Sequence, residues 1–392
     1  MFSVGEGDLS LYLHVPMCRS RCSYCAFYSE PKAVWATRID AYTERLVSEI
    51  EQLPTRGVPF HTLYIGGGDP ANLGVEHLRR VLAAACREGR PDEVTLEVNP
   101  ESFDERFFPL FADRLVTRLS MGIQTMDQRI LTLLGRSASV SHNRRALALA
   151  REARLRYGID LSIDMMLALP TQTVESALAD IEQVLSLCDC EHLSLYCLTV
   201  EEGTALARQV EGGSIVVLDE DGQEAFLRAV WAALARLGFE HYEVSNFARN
   251  RRYSRHNSVY WRLGDYLGLG SGASSTLGSF HWQQSQDLAQ YADGALFSGY
   301  EREETTRGEQ VEEYLMMGLR TGWGIDKALF SQRFGYAFDA LFAGVVAGFE
   351  PGWYVDSAQS FVLTEDGWMV LDEILVRLVM EIPESLDRVQ RL

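Results

Sequence analysis

Three cysteines fall within eight residues, in the run Cys18-Arg19-Ser20-Arg21-Cys22-Ser23-Tyr24-Cys25. Thiolates on one short loop can converge on a single face of a cuboidal iron–sulfur cluster. Such clusters are normally held by four cysteines, and this loop offers no fourth, because Phe27 stands two positions after Cys25. One iron is then left without a protein ligand and open to a small chelating molecule. S-adenosylmethionine, which does radical chemistry with an Fe–S centre, is the natural tenant. Zinc is the competing metal, completed by His14 or a distant cysteine. The paired CxxC spacing of zinc sites is missing, so the reading taken is a [4Fe-4S] cluster on Cys18, Cys22 and Cys25.

Two further strings offer chemistry. Gly66-Gly67-Gly68-Asp69-Pro70 leaves the backbone bare enough for a ligand to approach, with amides free to meet a carboxylate. A triple glycine is equally an ordinary turn. His256-Asn257-Ser258-Val259-Tyr260-Trp261 combines a common metal ligand with flat aromatic faces on which a porphyrin can stack. Tyrosine and tryptophan also pack domain junctions, so this string has a structural reading as well.

Elements must bring these strings together. Apolar or β-branched runs at 9–15, 62–65, 94–98, 118–123, 160–167 and 192–198 alternate with helical spacing at 41–52, 75–87, 141–156 and 174–187. That rhythm predicts βα units on a parallel sheet. Six units are fewer than the eight of a closed barrel, so the expected fold is α/β, a partial (βα)6 TIM-like barrel. A helix is expected over 223–236 and a strand over 239–244, followed by a Gly/Ser-rich stretch at 264–278. Helices and a hairpin around Trp353 to Leu371 close the chain. The expected division is a core at 1–240, a connecting segment at 241–300 and a smaller helical/winged module at 301–392.

Charge narrows the partners. With 55 acidic against 36 basic residues, the net charge is -19, which disfavours nucleic acid and anionic membrane surfaces. No long uncharged apolar stretch predicts an integral membrane segment, and Met1 to Ser10 does not read as a signal peptide. Seven cysteines in a long chain do not make a secreted disulfide scaffold. The expected location is the cytoplasm.

The cysteine spacing resembles the radical S-adenosylmethionine superfamily. Nearly the whole chain resembles the branch containing oxygen-independent coproporphyrinogen III oxidases and HemW-type heme chaperones. The resemblance implies a radical SAM barrel with a [4Fe-4S] cluster and S-adenosylmethionine at its strand ends. It implies cofactor contacts at Tyr12, Tyr24, Gly67, Gly68, Asp69, Pro70, Glu97, Gln124, Arg136 and Asp164. The family usually has threonine where this chain has Asp69. The string at His256, Asn257, Tyr260 and Trp261 is similar to the HNxxYW motif associated with heme in the chaperones. A histidine often follows the downstream Gly-Ala in that family, and Ser274 takes its place here.

Two functions share this barrel. The oxidases extend the loop to CxxxCxxCxC and carry a longer N-terminal segment; here Phe27 replaces the fourth cysteine and 17 residues precede Cys18. With the HNxxYW-like string, these features favour a chaperone that carries heme as cargo to an unidentified acceptor protein. An oxidase acting on coproporphyrinogen III and a tetrapyrrole-modifying radical enzyme are the alternatives. Arg251, Arg252 and Arg255 form the densest arginine group, suited to the carboxylates of either tetrapyrrole. No catalytic triad or paired carboxylates stand at convincing spacing, so no catalytic residue is assigned.

Overall fold

The computed structural model describes residues 9–53 and 57–386; residues 1–8 of the stretch read for a signal lie outside them. Six strands form in chain order: β1 (Ser10–Val15), β2 (Thr62–Gly67), β3 (Glu93–Val98), β4 (Arg118–Gln124), β5 (Asp160–Leu167) and β6 (His192–Cys197). Each lies within two residues of the limits expected from sequence, and each pairs in parallel with the next. Alternate residues point to opposite faces of a strand. Leu11, Leu13, Leu63, Ile65, Leu96, Leu119, Met121 and Ile163 join the main hydrophobic core. The intervening positions carry Ser10, Tyr12 and His14, Thr62 and Tyr64, Thr95 and Glu97, and Ser120. The barrel therefore has an apolar jacket under its helices and a polar interior.

The barrel stays open. At one edge β6 pairs antiparallel with β8 (Asn246–Ala248), which pairs with β7 (Glu240–Glu243). At the other, β1 pairs in parallel with β9 (Tyr266–Leu269), followed by β10 (Ser274–Leu277), β11 (Phe280–Gln284) and β12 (Tyr300–Glu304). The segment expected to connect, 241–300, thus extends both edges of the sheet. Its glycines and serines hid strands as short as four residues, which β1 holds in place.

The C-terminal module has its own core, including Phe330, Phe338, Phe342, Phe361 and Ile374. The predicted hairpin is Tyr354–Asp356 paired with Ser360–Leu363. It ends before Leu371: the Thr364 side chain accepts from the Gly367 amide and starts a helix. Leu371, Ile374 and Leu378, spaced to share one helix face, then bury the next. Among the described residues no helix is long and apolar enough to cross a membrane.

Candidate functional site

The cysteine loop follows β1 directly, at the C-terminal end of the strands. The Ser23 amide donates to the Leu134 carbonyl (2.9 Å), and the Ser23 carbonyl accepts from Leu206 (2.8 Å). Trp35 Nε1 donates to the Cys18 carbonyl (3.1 Å). Burial pushes the Cys18 thiol up to about 12, with Cys22 and Cys25 near enough to raise it further. No three His, Cys, Asp or Glu side chains among the described residues lie close enough to hold one ion.

The glycine turn lies against this loop. Gly68 N donates to Val15 O and Asp69 N to Met17 O, both at 2.9 Å. A Cβ on Gly68 would meet the Met17 nitrogen at 2.8 Å and Cys18 Sγ at 3.0 Å; on Gly67, whose φ is +114°, it would meet the His14 ring at 2.8 Å. Glycine at both positions lets the turn press directly on the cysteine loop and the His14 ring, forming the floor of a cradle. Pro70 is buried and opens the short turn that follows.

Carboxylates close the cradle from neighbouring strands. Glu97 Oε2 accepts from the Gly67 amide at 3.2 Å. Burial, then the charge of Asp164, pushes its carboxyl up to about 8. Asp164 accepts from Ser120 Oγ at 3.2 Å, and burial lifts it to about 6. A partly neutral acid pair in a polar interior is poised to ionise against a cationic ligand. Tyr12 donates or accepts at His14 Nδ1 (2.7 Å). Gln124 ends β4 in the left-handed region (φ 66°), a strain of the kind stored at ligand sites. Arg136 binds the Gly122 carbonyl (2.8 Å) and Asn99 Oδ1 (3.0 Å), with Nη1 at 3.5 Å from Cys22 Sγ. Tyr24 lies within electrostatic reach of Arg136 and Cys22.

Asp69 is already engaged within the protein. Its carboxylate is 1% exposed and accepts from Ser102 Oγ (2.6 Å), Asn72 Nδ2 (3.2 Å) and the Asn99 amide (3.2 Å). Burial raises it to about 6. This side chain clamps the glycine turn to the loop after β3.

The HNxxYW-like string lies elsewhere. It forms helix α1 (Arg255–Trp261), capping the foot of the barrel, where the strands begin. His256 is fully buried; its Nδ1 meets Thr62 Oγ1 and its Nε2 meets Tyr260 OH, both at 2.7 Å. Burial drives its pKa down to about 3. The His256 amide donates to Glu93 (3.0 Å), Asn257 N bonds Ser254 Oγ, and Arg320 lies over the Trp261 ring. Six residues of β1 separate this helix from the cysteine loop, about 20 Å at roughly 3.3 Å per residue. The structure therefore groups the residues tied to cluster and cofactor, and sets the heme-associated string at the opposite end.

Sequence reasoning weighed His14 only as a zinc ligand. Its Nε2 is buried without a hydrogen-bond partner, its ring stacks on Tyr28, and burial lowers its pKa to about 4. Tyr64, Ser120 and Ser102 were missed. For Tyr64 and Ser120 the signal was available, since polar residues recur at every second position of strands whose other face is apolar; Ser102, in the loop after β3, carried none.

The Radical SAM superfamily model matches residues 12–184 and the HemN C-terminal domain model matches 305–370. The chain is 30% identical to the Bacillus subtilis protein named heme chaperone HemW, over 93% of this chain and 97% of that one. It is 38% identical to the mouse mitochondrial radical S-adenosyl methionine domain-containing protein 1, over 81% and 74%. The solved coproporphyrinogen III oxidase HemN of Escherichia coli matches at a TM-score of 0.78 with 22% identity, covering 97% of this chain and 91% of that one; this likeness speaks to the fold.

Proposed function

This chain belongs to the HemW-type branch of the radical SAM proteins, and on that premise we propose that it is a heme chaperone that carries heme to an acceptor protein. The observation that carries the choice is Phe27. It occupies the position of the oxidases' fourth cysteine and is 76% exposed, a place where a hydrophobe contributes nothing to the fold. Cys18, Cys22 and Cys25 would hold a [4Fe-4S] cluster. Tyr12, Tyr24, Gly67, Gly68, Pro70, Glu97, Gln124, Arg136 and Asp164 would hold S-adenosylmethionine, with Asp69 fixing the turn. Bound together, cluster and cofactor supply one-electron radical chemistry. The residues' own part is to orient: Glu97 and Asp164 toward an ammonium or ribose hydroxyl, while the Gly67 and Gly68 amides are bonded to Glu97 and Val15 and Arg136 is held beside Cys22.

For the cargo, the foot of the barrel is the proposed end. Beside α1 lies a cavity of about 390 Å³ lined by Arg251, Arg252, Tyr253 and Arg255, with Glu93, Asp160 and Glu191 among them. Arginine forks suit propionates. Ligation by His256 would first require its two internal hydrogen bonds to break, at a cost of about 1–3 kcal/mol for each group left unpaired.

The test is a hemin titration of anaerobically reconstituted protein, followed in the Soret band, beside an assay for coproporphyrinogen III oxidation. Saturable binding near a single heme per chain without turnover is expected. Turnover to protoporphyrinogen would overturn the chaperone reading in favour of the oxidase.

A further inference from the structure

We propose that Arg136 acts on the cluster itself, through the sulfur of Cys22, and that Asn99 and Asp69 hold it in place. The inference rests on the cluster reading above. Among the described residues no carboxylate lies within ion-pair distance of the guanidinium, though Tyr24, Cys22 and Glu101 act on it electrostatically. Its Nη2 is anchored by Asn99 Oδ1 and the Gly122 carbonyl, its Nη1 points at Cys22 Sγ at 3.5 Å, and its Nε is buried without a partner. A permanent cation is thus kept beside one thiolate ligand, with Glu101 and Glu97 within electrostatic reach of it but no carboxylate hydrogen-bonded to it.

Asn99 is itself held. Its amide donates to Asp69 Oδ1 at 3.2 Å, and its carbonyl accepts from the Ser102 amide at 3.0 Å, whose hydroxyl donates to Asp69 Oδ2 at 2.6 Å. The acid that stands in place of the family's threonine therefore begins a chain that ends on a cysteine sulfur: Asp69, Asn99, Arg136, Cys22. Asp69 is a positioning residue in this arrangement.

Hydrogen bonds and charge near cluster sulfurs set the reduction potential. The reduced cluster carries one more negative charge than the oxidised one, so a guanidinium beside Cys22 favours reduction. Removing it makes the potential more negative.

An EPR-monitored redox titration of the reconstituted protein, run without S-adenosylmethionine, tests this. Arg136→Gln is expected to lower the potential at unchanged iron content, and Arg136→Lys to restore part of it. Asp69→Thr also removes an anion within electrostatic reach of Cys18, which by itself raises the potential, so the anchor is read from Asn99 instead. Wild-type potential in a fully iron-loaded Arg136→Gln protein would overturn the proposal. Should Arg136→Gln load no iron, Asn99→Ala keeps the guanidinium and loses one anchor; an unmoved potential there also overturns the proposal. A wild-type protein that takes up no cluster would instead sink the cluster reading.

Discussion

Replacing Glu97 by glutamine should stabilise the apo protein while weakening its hold on S-adenosylmethionine. Burial and the neighbouring Asp164 raise the Glu97 carboxyl from 4.5 to about 8. The folded protein thus keeps a proton that the unfolded chain releases, and stability falls as pH rises from about 4.5, levelling off above about 8. At about 1.4 kcal/mol per pH unit, the penalty reaches about 3 kcal/mol at pH 7 and less than about 1 kcal/mol at pH 5. Glu97 is only part-buried by accessibility, so water screens some of this, and a gain of about 1–2 kcal/mol at pH 7 is the working figure. The amide keeps an oxygen for the Gly67 N–H, so little else changes. Asp164, Asp69 and Tyr64 face the same group, and Arg136 opposes them weakly; none titrates so as to reverse the sign. Urea unfolding of apo wild type and Glu97→Gln at pH 5 and pH 7 measures the difference. A variant less stable at both pH values, or a gain equal at both, would refute the reasoning.

Other substitutions test the remaining geometry. Cys18→Ala, Cys22→Ala and Cys25→Ala should each abolish the visible absorption of the reconstituted cluster, read with iron content; retention in all three would remove the ligand assignment. Gly67→Ala should cost about 1–3 kcal/mol in denaturant unfolding, because its Cβ would press on the His14 ring at a positive φ, and Ala placed at the unhindered Gly344 serves as the control. His256→Ala should lose about 2–5 kcal/mol, since it leaves the Thr62 and Tyr260 hydroxyls unpaired beside a cavity. A variant as stable as wild type that no longer binds heme would contradict that structural assignment.

Legibility in the sequence followed the range of each interaction. The cysteine loop is local, and its spacing alone conveyed its chemistry. The six parallel strands were readable because their outward residues are β-branched or apolar, as in Leu161, Ile163 and Met165. The inward residues Tyr64 and Ser120 on the same strands were overlooked for that reason, and Tyr12 was picked out only by family resemblance. Cofactor-associated positions are spread from Tyr12 to Asp164 over five strands, and no periodicity links them; only family resemblance drew them together. The bonds from Asn99 and Ser102 to Asp69 could not be read from sequence, because those partners follow a different strand. His256 looked available because nothing in its own string shows Thr62 closing over Nδ1. The edge strands β9 to β12 owe their form to pairing, which short Gly/Ser-rich segments do not announce.

The placement of the two ends separates the competing functions more sharply than composition does. Radical chemistry acts on atoms in contact with the cofactor, so an oxidase must seat its tetrapyrrole at the mouth, beside Glu97 and the glycine turn. A chaperone is under no such constraint. The interior between mouth and foot is filled: Tyr12 and Tyr64 lie 6.1 Å apart, and the His256 ring sits 5.2 Å from Tyr64 and 6.4 Å from Tyr12. A cargo held at the arginine-lined foot would therefore be out of reach of the cofactor, yet joined to it by packed rings. In that geometry cluster and cofactor can influence cargo only by shifting α1 through this stack, and any such influence must run equally in both directions. Heme binding that changes S-adenosylmethionine affinity, and is uncoupled from it by Tyr64→Ala, belongs to the foot. Heme that competes with the cofactor outright belongs to the mouth.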